Sequence, residues 1–166
     1  APEEFYTVHP TWMIKSVLDN ENRRYWGLNW LCQNNEEYTR EYEKRLEELI
    51  KEARPDGLMI DETSNMYDSC GCRDCRKRFT AETGLIMPAA GNNSWFENLD
   101  SQIYRAFLRW RVECTKKKNL RHRQILRKHI PEGVLLGYYA VPYNEKTWYE
   151  HGVSLEASAE LDEIIG

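Results

Sequence analysis

No stretch of this 166-residue chain approaches the run of about eighteen apolar residues that a membrane-spanning helix needs. No glycine-rich loop that could cradle a phosphate is present, nor any internal repeat or low-complexity tract. Basic residues are not in excess. The 23 Lys and Arg stand against 27 Asp and Glu, and the net charge of −4 argues against a general nucleic-acid binder with its basic footprint. The five cysteines are too few and too unevenly spaced for a disulfide scaffold. The chain opens Ala-Pro-Glu-Glu, without Met and without a signal-peptide pattern, a start that fits a processed protein or a fragment equally well. What remains is the composition of a globular chain, 41% hydrophobic and 30% charged, long enough for one medium domain with a core. Six Trp and ten Tyr lift the aromatics to 12%, a hint of a stacking surface, although most of these rings are expected in the core.

The first 24 residues read as irregular, with a turn at His9-Pro10-Thr11-Trp12. Arg24 to Leu31 reads as a strand ending at Cys32. Asn35 is placed to cap a helix whose first turn holds Glu36 and Glu37, where the helix dipole favours anions. That helix runs to Ala53 with Tyr38, Tyr42, Leu46, Leu49 and Ile50 on one stripe, and Pro55-Asp56-Gly57 breaks it. Gly57 to Glu62 is a short apolar run suited to a parallel strand buried on both faces. A helix follows over Arg73 to Thr83, with Gly84 as its stop. After a Gly-, Asn- and Pro-rich loop, Asp100 caps a long helical pattern that Pro131-Glu132-Gly133 ends. Val134 to Val141 is a third strand, and Leu161 to Ile165 a fourth after a short helix near Leu155 to Glu160. This alternation predicts an α/β protein with about four parallel strands and flanking helices.

Two groups of residues carry chemistry. Cys70, Cys72 and Cys75 form a C-x-C-x-x-C loop motif, and close pairs of this kind suit the tetrahedral shell of zinc. Cys32 is the natural fourth ligand if its strand lies beside strand 57–62, because both would then emerge on one rim of a parallel sheet. The competing reading is free thiols or a labile disulfide in a polar loop. Cys114 sits on an apolar helical stripe and is expected in the core. The second group is Asp61-Glu62, at a strand end where α/β sheets and barrels place their chemistry. Paired carboxylates hydrolyse glycosides, whereas a capping Asp with a solvated Glu is the plain structural alternative.

Residues His9 to Phe79 resemble the central part of the family 42, β-galactosidase-like glycoside hydrolases and related glycosidase barrels. The resemblance rests on Cys32-Gln33-Asn34-Asn35-Glu36-Glu37-Tyr38, the helix and strand that follow, then Cys70, Cys72, Cys75, Arg76 and Phe79. It implies a partial (β/α)8 TIM barrel whose strands correspond to the third to sixth, with residues 1–166 as a single, incomplete segment of a glycosidase catalytic domain. It implies Glu62 as acid/base and Cys32, Cys70, Cys72 and Cys75 as ligands of a structural zinc ion. The chain departs from the pattern at Asp61, where the family has Asn. An Asp at that strand end is similar instead to fucosidase-like barrels, in which it would be the nucleophile. Successive strand residues point to opposite faces, so one of the pair enters the barrel mouth unless a bulge presents both. If Glu62 points inward, Leu58 and Ile60 should line the barrel; if Asp61 does, Met59 should. The spacing to the cysteines favours Glu62.

A complete barrel takes roughly 250 residues, so the second carboxylate is expected outside this chain, and the isolated segment is expected to hydrolyse nothing. The carbohydrate partner would meet aromatic and imidazole groups near strand ends: Trp30, Tyr67, Tyr139 and His151, with Tyr143 and His9 as further candidates. Lys116-Lys117-Lys118 reads as a solvated helix face, and His122 and His129 as solvent-exposed. Neither a nucleic-acid nor a membrane partner is expected, and a homo-oligomer is open to the full-length protein. Thiolate ligands survive most easily in a reducing cytoplasm, which leans the compartment away from secretion, although a buried zinc site also protects them outside it. A non-catalytic, zinc-stabilised carbohydrate-binding or interaction module is the alternative reading of the same features.

Overall fold

The structure is a computed structural model that describes residues 8–25, 27–60, 65–137, 151–152, 154 and 164–165. A 3-10 turn at Pro10–Trp12 precedes β1 (Arg24–Tyr25), β2 (Leu28–Asn29), α1 (Glu36–Ala53) and β3 (Gly57–Ile60). Then come α2 (Arg73–Thr83), α3 (Gln102–His129), β4 (Val134–Gly137) and β5 (Ile164–Ile165). The chain divides into two compact units, one of residues 1–39 with 66–110 and one of residues 40–65 with 111–166. No helix among the described residues is long and apolar enough to cross a membrane.

The first unit is organised around the irregular N-terminal segment and α2. β1 and β2 form an antiparallel hairpin, with Tyr25 opposite Leu28. The single strand expected over residues 24–31 is thus two short ones. Gly27, at φ +74°, occupies the left-handed region that glycine tolerates, and the chain turns back within its own apolar run. Helix α2 ends as expected at Gly84, whose φ of 72° lets its N–H reach the Thr80 carbonyl at 2.9 Å. The loop before α3 is held by aromatic packing. Trp95 and Phe96 meet Phe107 and Tyr104 mostly edge-on, and Phe79 meets Trp110 edge-on at a centroid distance of 5.6 Å. The cap of α3 lies one residue later than the sequence suggested: Ser101 Oγ accepts from the Tyr104 N–H at 3.3 Å.

The second unit holds the parallel sheet, in the order β3-β4-β5. Three parallel strands are therefore seen among the described residues where about four were expected, because the first candidate is the hairpin of the other unit. The β3–β4 register pairs Gly57 with Val134 and Leu58 with Leu135. Gly57 is a close-approach glycine: a Cβ there would lie 2.8 Å from the Val134 carbonyl oxygen. Leu46, Ile50 and Leu126 form a buried cluster, with Tyr42, Leu58, Ile125 and Ile130 packed against it. Leu49, expected on the buried stripe of α1, is exposed instead. Two further expectations fail on α3. Lys118 and His122 are buried, not solvated. Polar residues at 111, 115, 118, 119 and 122 recur at helical spacing on a buried face, where a reading based on hydrophobic periodicity assigns them to solvent. Cys114 is buried, as expected. The short helix near 155–160 and the strand residues past Gly137 lie outside the described residues.

Candidate metal centre

Backbone pairing in the first unit brings distant cysteines together. Residues 12–17 act as a central segment between two partners. On one side the Cys32 N–H donates to the Trp12 carbonyl at 2.6 Å, and Ile14 N–H to Trp30 O at 2.9 Å. On the other, Val17 N–H donates to Asp68 O at 2.8 Å and Gly71 N–H to Lys15 O at 2.7 Å. Single antiparallel bridges join Met13 to Leu31 and Ser16 to Ser69. Cys32 is thus delivered from the hairpin, and Cys70 and Cys72 from the loop, to opposite sides of one segment. The cysteines meet, not on the rim of a parallel sheet as their spacing suggests, but through an N-terminal segment that reads as irregular.

The fourth cysteine of the cluster comes from α2. The Cys72 sulfur caps this helix, accepting from the Cys75 N–H at 3.5 Å, which sets Cys75 in the first turn. The helix N-terminus favours the anionic form of a sulfur placed there. Cys32 Sγ lies 3.4 Å from Cys75 Sγ and 3.6 Å from Cys72 Sγ. All four sulfurs lie within 4.8 Å of one another, all are buried, and none is in a disulfide. A tetrahedron with metal–sulfur bonds of about 2.3 Å has sulfurs about 3.8 Å apart, whereas a disulfide brings them to about 2.0 Å. The spacing fits the former.

Electrostatics agree. The Cys70 and Cys72 sulfurs, with burial, push the Cys32 thiol well above its ordinary value, and the Cys32 sulfur and its neighbours do the same to Cys75. Cys72 is driven the other way, because Cys32, Cys70 and Cys75 all stabilise its thiolate. Several buried sulfurs competing for one negative charge form a site that a cation would relieve. The donor set suits a thiophilic metal ion such as zinc.

The surroundings hold this geometry. Asn34 Nδ2 donates to Cys75 Sγ at 3.4 Å, and Arg78 Nη1 fixes Asn34 by donating to its Oδ1 at 2.9 Å. Asn35 caps α1 by accepting from the Tyr38 N–H at 2.9 Å while its amide donates to Asp74 in the first turn of α2 at 2.7 Å. Behind the cysteine loop, Asp68 accepts from Ser16 Oγ at 2.6 Å and from Arg23 Nε at 2.9 Å. Burial pushes the Asp68 carboxyl up, but the Arg23 and Ser16 hydrogen bonds outweigh it and hold the group below its usual range. Ser16, Arg23 and Asp68 carry no sequence signal, being single polar residues far apart in the chain.

The other candidates are dispersed. Asp61, Glu62, Tyr139 and Tyr143 lie outside the described residues. Trp30 is partly buried beside the hairpin. The Tyr67 hydroxyl donates to the Glu97 carboxylate, and its ring meets Phe96 edge-on. His9 stacks on Trp12 at a centroid distance of 3.8 Å. His151, in the second unit, accepts through its carbonyl from the Asn65 N–H at 2.7 Å.

No family model matches the sequence, and no curated protein does. Solved structures do resemble the fold. The glycoside hydrolase domain of PgaB (BpsB) from Bordetella bronchiseptica matches with a TM-score of 0.75 and 13% identity, over 93% of this chain and 44% of its own. A β-galactosidase from Bacillus circulans sp. alkalophilus matches with a TM-score of 0.72 and 15% identity, over 98% of this chain and 28% of its own. The β-galactosidase of the Antarctic haloarchaeon Halorubrum lacusprofundi matches with a TM-score of 0.69 and 16% identity, over 99% and 28%. The chain spans less than half the length of each, and at this identity the likeness is one of fold, that of glycosidase barrels.

Proposed function

We propose that this chain is part of a (β/α)8-barrel glycosidase domain, supplying three of its parallel strands, that cleaves O-glycosidic bonds with two carboxylates, one of them outside residues 1–166. The observation that carries the reading is the likeness in fold of 93–99% of the chain to glycosidase barrels, beside a parallel β-sheet of its own. Four thiolates close a zinc shell and leave no position for water. In this reading Cys32, Cys70, Cys72 and Cys75 hold zinc as a cross-link that fixes the loop following β3 in the chain, and hydrolysis is left to the carboxylates.

The alternation of β3 bears on which carboxylate faces the sugar. Leu58 packs on the Leu46–Ile50–Leu126 cluster, and its register partner Leu135 is fully buried. Met59, on the opposite face, is 62% exposed. Helices cover the Leu58 face of a barrel strand from outside, so Met59 marks the inner face. A regular strand carried past Ile60 would put Asp61 on the Met59 face and Glu62 on the other. This favours the fucosidase-like alternative, with Asp61 as the substrate-facing carboxylate, over the Glu62 that loop spacing suggested. The test is Asp61→Asn beside Glu62→Gln in the longest natural polypeptide carrying this segment, assayed on aryl glycosides. Loss of turnover in Asp61→Asn with activity retained in Glu62→Gln supports the assignment, and the reverse restores Glu62. Full activity in both variants removes Asp61 and Glu62 from the catalytic role, and no turnover by the wild-type polypeptide leaves a carbohydrate-binding module.

A further inference from the structure

Arg76 follows Cys75 directly and is partly buried. Its guanidinium spreads over three segments. Nε donates to the Gly71 carbonyl at 2.8 Å, between the two cysteines of the C-x-C pair. Nη1 donates to the carbonyls of Pro88 at 2.6 Å and Met87 at 3.1 Å, in the loop after α2. Nη2 reaches the Val17 carbonyl at 3.5 Å, on the central segment that also pairs with the cysteine loop. We infer that Arg76 is a positioning residue for the metal: its planar fork fixes the Cys70–Cys72 turn, and its charge offsets the excess negative charge of a metal–tetrathiolate centre.

The geometry supports both parts. The Gly71 carbonyl belongs to the peptide plane that leads into Cys72. Fixing that plane fixes the direction in which the Cys72 side chain leaves the backbone. Four thiolates around a divalent ion leave two negative charges, in a setting where other sulfur donors are neutral: the Asn34 amide and the Cys75 N–H. Burial pulls the Arg76 guanidinium below its ordinary value, and the Cys70, Cys72 and Cys75 sulfurs oppose that shift. A lysine could supply charge but not a planar fork to several carbonyls at once.

This inference rests on the metal reading, and one experiment separates the two. Zinc affinity of the 166-residue chain is measured by competition with a chromophoric chelator, and cobalt is substituted to follow its thiolate charge-transfer band. A wild-type chain that takes up neither metal refutes the metal reading before any variant is compared. If it binds, Arg76→Met is expected to weaken zinc by about ten- to a hundredfold, the usual effect of losing a partner behind the ligands, and to shift the cobalt band. Arg76→Lys should fall between, and Lys77→Met, an exposed neighbour, should change nothing. Arg76→Met within about twofold of wild type, or no weaker than Lys77→Met, overturns the inference. If Arg76→Met does not fold, Arg76→Lys decides: wild-type affinity and an unshifted cobalt band there overturn the role of the fork.

Discussion

Gly71 lies at the tightest backbone contact of the cysteine loop, and replacing it by alanine probes how the loop is built. Its position between two cysteines suggests a turn that needs glycine's conformational freedom. Yet Gly71 is not among the glycines with positive φ. The constraint is proximity: a Cβ would lie 2.7 Å from Ser16 O, 2.8 Å from Val17 Cα and 3.0 Å from Ser16 C. These are backbone atoms, and their segment also pairs with Cys32, so they have no free direction of retreat. Forcing a methyl into such a contact costs about 1–3 kcal/mol. Parting the chains strains or breaks the 2.7 Å Gly71 N–H···O Lys15 bond, worth about 1 kcal/mol. The expected loss for Gly71→Ala is therefore about 2–4 kcal/mol, a large share of the roughly 5–15 kcal/mol that holds a typical domain. Gly84→Ala is the counterpart. Nothing lies within 4 Å of its Cβ position, so only its φ of +72° opposes the methyl, at about 1–2 kcal/mol. Urea unfolding of the metal-free chain, read by the midpoint at constant slope, compares the two. Zinc competition should register Gly71→Ala and leave Gly84→Ala unchanged. A Gly71→Ala chain as stable as wild type, or less affected than Gly84→Ala, would refute the contact argument.

Burial lowers the His122 imidazole to about 3, aided by the Lys118 and Arg121 charges. The unfolded chain takes up this proton below about pH 6.5 while the folded chain resists it, so stability falls as pH drops from 6.5 toward 3, by at most about 1.4 kcal/mol per pH unit. His122→Phe, which keeps a ring against Tyr42, should flatten that part of the stability–pH curve; an unchanged slope would show that His122 titrates normally. Glu47 behaves in the opposite sense: Lys128, then His129 and Lys51, hold its carboxyl at about 2. Its contribution is complete above about pH 4.5 and disappears as pH falls through 2, so Glu47→Gln should raise the acid-unfolding midpoint slightly, and less so in high salt. Leu126 is fully buried among Leu46 and Ile50, and Leu126→Ala should cost about 2–5 kcal/mol in the same unfolding assay.

Strong local signals were legible in the sequence. The capped, acidic start of α1, the glycine stop of α2 and the apolar β3 run each follow from a few adjacent residues and fall where the spacing puts them, although β3, expected buried on both faces, exposes Met59. The four-cysteine cluster was legible too, because C-x-C-x-x-C is dense and a fourth cysteine lay upstream. The route that assembles it was not. It depends on residues 12–17 pairing with two distant stretches, through backbone groups that carry no side-chain signature. The hairpin at Gly27 was hidden because its apolar run continues through the turn. Lys118 and His122 were misplaced for a related reason: periodicity assigns polar residues to water, and α3 buries a polar stripe.

Whether the four cysteines form one closed metal shell is the central question. X-ray absorption at the zinc edge of the zinc-loaded chain tests this directly. The expected result is one zinc per chain with four sulfur neighbours at about 2.3 Å and no nitrogen or oxygen ligand. Fewer than four sulfurs, a nitrogen or oxygen in the shell, or a metal-free chain with Cys32 and Cys75 joined in a disulfide would contradict it.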